Sequence, residues 1–196
     1  MSTHPKAFLT PGEYLEIERQ AEIRSEYYQG EMVAMADANE AHSTLADNLV
    51  VAFRLKLRGG PCRSYSRDMR VQVSATGLYT YPDLVVVCGE RKFLDDNRDT
   101  LLNPTLIVEI LSPTTEAYDR GKKFSHYRTL ESLQEYVLVS QDRGQVECFK
   151  RQSAGQWLLT AASRPDDAVC LDSVGCTLPL ADIYEDVAAP GDQAGG

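Results

Sequence analysis

The sequence predicts an α/β fold with a mixed β-sheet core flanked by helices. Three observations lead there. Residues 84–88 (LVVVC) and 105–111 (TLIVEIL) are almost unbroken apolar runs, as in strands covered on both faces. Residues 41–57 carry apolar side chains at every fourth position, the spacing of a buried helical stripe. Strand, helix and strand patterns then succeed one another over 105–140, a length that implies a right-handed crossover and a parallel pair.

The elements follow in order. Thr10 suits an N-cap, Pro11 the first helical position and Glu13 a capping box, so a helix is expected from there to about Gln20. Leu9 and Tyr14 have the spacing of a hydrophobic staple. Residues 25–29 and 31–35 read as two short strands joined at Gly30. In the second helix, over 41–57, Leu45, Leu49, Phe53 and Leu57 form the buried stripe, and Gly59-Gly60-Pro61 stops it. Residues 63–66 and 69–74 look like strands, with a turn near Ala75-Thr76-Gly77. The polar stretch 91–100 is expected as a surface loop. Helix 119–130 and strand 136–140 follow, then antiparallel strands over 145–151 and 156–161 and a short helix over 179–184. One domain is expected over residues 1–187, with a disordered tail over 188–196.

Composition narrows the function classes. With 196 residues, 43% apolar and 25% charged, the chain is ordinary for a soluble domain. It has no long uncharged apolar run, so no membrane span or membrane partner is expected. Residues 1–6 lack the pattern of a secretory signal, which makes the cytoplasm the expected compartment. Five cysteines, an odd number without C-x-x-C spacing, argue against a disulfide framework or zinc cluster. Cys88 is expected as a small core residue. A net charge of -9 argues against coating nucleic acid through bulk charge. Two basic strips nevertheless stand out. One holds Arg54, Lys56, Arg58, Arg63, Arg67 and Arg70; the other holds Arg120, Lys122, Lys123 and Arg128. They read either as solvated faces or as local phosphate contacts.

Three signals carry chemistry. Glu109 stands among aliphatic residues, where a buried carboxylate must be neutralised, paired or bound to a cation. Pro82-Asp83 stands at the mouth of the LVVVC strand, where the bland alternative is a turn aspartate. If the two strands are neighbours, both carboxylates converge, and two hard oxygen ligands suit Mg²⁺ or Mn²⁺. Asp119, Lys123 and Tyr127 are spaced by four on the following helix, so an ammonium could reach those carboxylates, although an exposed helix pair gives the same pattern.

These residues sit within a longer series. It runs through Thr10-Pro11-Gly12-Glu13-Tyr14-Leu15, Glu26-Tyr27 before Gly30-Glu31, His42, Asp68 with Val71, Tyr81-Pro82-Asp83 and Asn103-Pro104. It continues with Val108-Glu109-Ile110-Leu111-Ser112-Pro113-Thr114, Asp119-Arg120-Gly121-Lys122-Lys123 and Glu135-Tyr136. In these motifs and their order the chain resembles the Uma-type restriction endonuclease family of bacteria, whose members look like PD-(D/E)xK nucleases. The resemblance implies a restriction-endonuclease-like core and a catalytic set of Asp83, Glu109, Lys123 and Glu26. It implies Mg²⁺ or Mn²⁺ held by Asp83, Glu109 and the carbonyl of Ile110. Asp68, Asp119 and His42 are second-tier candidates, with His42 expected either as a structural residue or at the cleft edge. The superfamily's lysine position, two residues after the acid, is Leu111 here, so the amine is expected from the helix as Lys123. Lys123 is expected to orient the attacking water and stabilise charge, because nearby carboxylates oppose the depressed pKa a base requires. The expected activity is metal-dependent hydrolysis of DNA phosphodiesters, with DNA met by the basic strips and a homodimer by analogy with two-strand cutting. Two other readings stay open: a nucleic-acid-binding or regulatory module that keeps the nuclease scaffold without turnover, and a metal-dependent hydrolase of small phosphoesters.

Overall fold

The computed structural model describes residues 8–35 and 38–187, and the tail expected over 188–196 lies outside them. The first helix, α1 (Pro11–Gln20), starts on the expected capping box. The Glu13 N–H donates to the Thr10 hydroxyl at 3.3 Å, and the Thr10 N–H donates to the Glu13 carboxylate at 2.7 Å. Tyr14 and Leu15 turn inward and meet Tyr27 and Tyr79, with Leu9 packed beside them.

Strands β1 (Ser25–Tyr28) and β2 (Glu31–Ala34) form an antiparallel hairpin. Its turn residues Gln29 and Gly30 have φ of 49° and 86°, and a Cβ on Gly30 would collide with the Phe8 ring. Helix α2 (Glu40–Lys56) begins at Asn39, whose side chain accepts the His42 N–H at 2.9 Å. Its stripe of Leu45, Leu49, Phe53 and Leu57 is buried as the spacing predicts.

The middle of the chain supplies β3 (Cys62–Ser66), β4 (Arg70–Val73), β5 (Leu78–Thr80), β6 (Leu84–Cys88), β7 (Thr100–Leu101) and β8 (Leu106–Leu111). A helical stretch follows, made of α3 (Glu116–Tyr118), a π-helical turn (Asp119–Lys123) and α4 (Phe124–Tyr127). It starts earlier and ends earlier than expected, and its centre is wider than an α-helix. The chain ends in β9 (Glu135–Ser140), β10 (Val146–Arg151), β11 (Trp157–Ala162), β12 (Ala168–Leu171), β13 (Cys176–Pro179) and α5 (Leu180–Ile183).

The fold is α/β, with mixed sheets flanked by helices. The single sheet expected from the sequence is three among the described residues. Their strand orders are β2-β1-β5-β4-β7, β11-β10-β9-β8-β6-β3 and β12-β13. β8 and β9 pair in parallel, as the strand–helix–strand pattern implies. Strand β5 and the β12–β13 hairpin escape the sequence patterns. The first is only three residues long, and the second has strands of only four residues.

Strand periodicity explains the core. One face of the six-stranded sheet presents Leu84, Val86, Leu106, Val108 and Ile110 to α2. The other presents Val85, Val87, Ile107, Leu111 and Tyr136 to Tyr127 of α4. Both faces are covered, so β6 and β8 read as continuous apolar runs. Each such side chain contributes roughly 1.5–3 kcal/mol on burial. Glu109 shares its parity with Ile107 and Leu111, so it is delivered to the α4 side.

Two features frame the site. Only Tyr81, Pro82 and Asp83 separate β5, in the five-stranded sheet, from β6, in the six-stranded one. Pro82 has no N–H to continue a ladder, so the chain changes sheets there. Cys62 and Cys88 face each other across β3–β6 and form a disulfide, which corrects both the expectation of no disulfide and the reading of Cys88 as a plain core residue. Spacing of 26 residues in sequence gives no hint of a cross-strand register. Among the described residues no helix is long and apolar enough to cross a membrane.

Candidate active site

The β6–β8 register pairs Leu84 with Val108, so one step further along the antiparallel ladder lies Asp83 beside Glu109. Both are buried, at 9% and 3% exposure. Asp83 is fixed at both oxygens. Its Oδ2 accepts the Ile110 N–H at 2.8 Å, and its Oδ1 lies 2.9 Å from Nε2 of His42 in the first turn of α2. Glu109 Oε1 accepts the Tyr127 hydroxyl at 2.7 Å and an ion pair from Lys123 Nζ at 3.0 Å.

Lys123 is the hub of the cluster, with only 5% exposure. Besides Glu109 it reaches Glu26 at 3.0 Å and Asp119 at 3.5 Å. Glu26 comes from β1 in the other sheet, where it also takes hydrogen bonds from the Thr80 and Tyr118 hydroxyls. The Asp119 backbone carbonyl accepts the Tyr136 hydroxyl at 3.1 Å. Within the π-helical turn the Phe124 N–H reaches the Asp119 carbonyl, five residues back. That wider turn keeps Tyr118 and Lys123 on one side, with Nζ 5.9 Å from the Tyr118 ring centre. Lys122 points elsewhere, over the ring of Tyr28.

Charge in the cluster is unbalanced. Glu26, Glu109 and Asp119 surround one ammonium, and Asp83 beside Glu109 has one histidine. Burial pushes the Glu109 carboxyl up to about 8; Lys123 offsets this in part, while Asp119 and Asp83 add to it. Burial likewise raises Asp119, against Lys123. Burial alone would lower the Lys123 pKa, but Glu109, Glu26 and Asp119 outweigh it and hold the amine well above its ordinary value. The amine is therefore a firmly protonated cation in this arrangement.

These groups line a cleft of ≈ 550 Å³, with Glu26, His42, Asp83, Glu109, Asp119 and Lys123 all on its wall. Ile110 lines it too, its N–H already committed to Asp83. Asp68 is not part of the cluster: it is exposed in the turn after β3, 3.6 Å from Arg24. The basic strips also break up. Arg70 is buried against Asp99 and Thr100, Arg120 pairs with Glu116 and Glu147, and Lys123 belongs to the acidic cluster. Arg67 is the exposed member of the first strip that lines the cleft. Thr80 and Tyr118 were not singled out as candidates. Tyr118 stands five residues before Lys123, a spacing that signals contact only in a π-helical turn.

Among the described residues no set of three or more His, Cys, Asp or Glu is placed to hold a metal ion by itself. Two adjacent carboxyls, both oxygens of Asp83 and one of Glu109 already partnered within the protein, are hard oxygen donors of the class that suits a small divalent cation.

Comparisons with known proteins give a family and a fold. Residues 11–181 match the family model Uma2, described as "Putative restriction endonuclease". Two proteins of Synechocystis sp. (strain ATCC 27184 / PCC 6803 / Kazusa) are similar. "Uncharacterized protein sll1609" is 38% identical over 152 residues, 78% of this chain and 86% of that protein. "Uncharacterized protein slr1290" is 35% identical over 182 residues, 92% and 93% of the two chains. Among solved structures, the crystal structure of a "putative nuclease belonging to DUF820" from Anabaena variabilis ATCC 29413 superposes with a TM-score of 0.74. At 21% identity over 90% of this chain and 97% of the other, that likeness is one of fold.

Proposed function

Since the chain belongs to the Uma2 family, described as "Putative restriction endonuclease", we propose that it is a divalent-metal-dependent endonuclease hydrolysing DNA phosphodiester bonds. The observation that supports this most is the buried pair of Asp83, at the entry to β6, and Glu109 on the adjacent β8, in a cleft with more carboxyls than cations. Asp83, Glu109 and the Ile110 carbonyl would hold Mg²⁺ or Mn²⁺, whose Lewis acidity supplies charge neutralisation at the phosphate and a more acidic attacking water.

The remaining roles belong to side chains of this chain. Lys123, kept protonated by three carboxylates, donates hydrogen bonds that orient the water and stabilise negative charge on the phosphoryl oxygens. It does not serve as the base, because its neighbours raise its pKa. Glu26 and Asp119 hold the amine in place, and Tyr127 and His42 fix the orientation of Glu109 and Asp83. A non-catalytic DNA-binding module is the weaker reading, since this surplus of carboxyls repels a phosphate unless a cation intervenes.

The test is strand cleavage by the full chain in Mg²⁺ or Mn²⁺, compared with Asp83→Ala. The expected loss is at least a hundredfold, about 2.7 kcal/mol of transition-state stabilisation, with an unchanged circular-dichroism spectrum. Equal cleavage by the variant, or hydrolysis confined to small phosphodiesters, contradicts the proposal.

A further inference from the structure

We infer that the cleft accepts an unpaired nucleotide of single-stranded DNA, its base against an apolar wall of Val33, Met35 and Ala38 and a flanking phosphate on Arg67. The inference rests on the nuclease reading above and names the form of its substrate.

The wall is continuous with the acidic cluster. In the β1–β2 hairpin Val33 is paired with Glu26, so an apolar side chain stands next to the residue that holds Lys123. Val33 is 63% exposed although it lines the cleft with Met35 and Ala38. A single exposed apolar residue is ordinary, but Val33 with the half-buried Met35 and Ala38 forms an apolar part of one concave surface beside a charged floor, a place where something apolar can rest. A nucleobase has apolar faces and a phosphate on each side, which matches a wall of this kind next to a cation site.

Two polar groups fit the same occupant. The Arg67 guanidinium has no hydrogen-bond or ion-pair partner among the described residues, while its backbone N–H is anchored to the Asp83 carbonyl at 3.1 Å. Its side chain is thus tethered at the site and free to bind a phosphate. Gln141 also lines the cleft, and its Oε1 is buried without a hydrogen-bond partner. The imino or amino N–H of a base supplies the missing donor.

Depth and size disfavour an intact duplex. The scissile phosphate must approach Asp83 and Glu109, both almost fully buried, at the wall of a ≈ 550 Å³ cleft. Such a space is within the range that holds one small ligand, roughly 300–1,000 Å³. A duplex presents its phosphates on a stiff convex surface, whereas a single strand bends and can turn one base aside.

The test is fluorescence anisotropy with the full chain in Ca²⁺, a hard oxygen-seeking cation. The probes are labelled oligothymidine, an abasic strand of equal length and a blunt duplex. Oligothymidine is expected to bind at least tenfold tighter than either of the others. Val33→Ser is expected to weaken oligothymidine severalfold while leaving the abasic strand and the melting temperature unchanged, and Arg67→Gln to weaken both single strands. Duplex binding as tight as oligothymidine, or no effect of Val33→Ser, overturns the inference. Cleavage of duplex that depends on Asp83 without any strand preference overturns it while leaving the nuclease reading intact. Strand preference without cleavage of any DNA overturns the nuclease reading and leaves the base-holding wall standing.

Discussion

Glu109 is a carboxyl whose proton affinity is set by its surroundings, and that gives the folded chain a distinctive dependence on pH. Its pKa is raised from 4.5 to about 8, chiefly by burial. Below the lower value both folded and unfolded chains hold the proton. Between the two values the unfolded chain has lost it and the folded chain has not, so stability falls as pH rises through that window. A metal-free sample is therefore expected to melt at progressively lower temperature from about pH 5 to pH 8. Calorimetry on Glu109→Gln should remove that slope, and Mn²⁺ should flatten it in the unsubstituted chain. Lys123→Met leaves Glu26, Glu109 and Asp119 without their shared cation, and is expected to cost about 3 kcal/mol at pH 8 by urea titration. The loss should shrink at pH 5, where the Glu109 carboxyl holds its proton. At this scale the sequence was informative where chemistry is forced. A glutamate inside an aliphatic strand must have a partner, and Asp83, Lys123 and Glu26 all gather near Glu109. Asp68 misled because a motif position does not say which way a turn points its side chain.

The π-helical turn decides which amine meets the carboxylates. Gly121 lies inside it with nothing within 4 Å of an added Cβ, so Gly121→Ala should be tolerated and even stabilise by about 0.5 kcal/mol. Deleting Gly121 is expected to act differently. One residue fewer rotates the flanking segments by about 100° relative to each other, so Asp119 and Lys123 cannot both stay in the cluster. Cleavage should vanish while the far-ultraviolet spectrum remains. Retained cleavage by the deletion would show that the wide turn is incidental. The four-residue spacing of Asp119, Lys123 and Tyr127 was visible in the sequence, but the widened turn was not, because it depends on tertiary contacts such as Tyr136 to Asp119. The Cys62–Cys88 disulfide was invisible for a related reason: strand register is set by neighbours, not by spacing. Closing a loop of 26 residues stabilises by roughly 3.5 kcal/mol. Reduction should lower the urea midpoint accordingly, and a Cys62→Ala/Cys88→Ala variant should not respond to reductant.

Across the molecule, two sheets and two helical segments converge on one cleft. The five-stranded sheet brings Glu26, the junction Tyr81-Pro82-Asp83 brings Asp83, the six-stranded sheet brings Glu109, and His42 comes from the start of α2. The apolar runs in the sequence announced the six-stranded sheet. The second sheet, built from short strands, was legible only in pieces, so the division of the site between two sheets was not. The net charge of -9 also acts at this scale. Arg54 and Lys56 lie at the far end of α2, a 17-residue helix about 25 Å long, and Arg58 just beyond it, away from His42 and the cleft. Replacing all three with alanine should leave cleavage within about twofold, a difference of only ~0.4 kcal/mol. A larger loss would place DNA on that end of the molecule.

The shared cation is tested most directly by a crystal soaked in Mn²⁺ and measured near the manganese absorption edge. The expected result is one anomalous peak in contact with both the Asp83 and Glu109 carboxylates, absent from crystals of Asp83→Ala. A fully soaked crystal with no peak there, or with manganese bound only at surface carboxylates, would contradict a metal site at this pair.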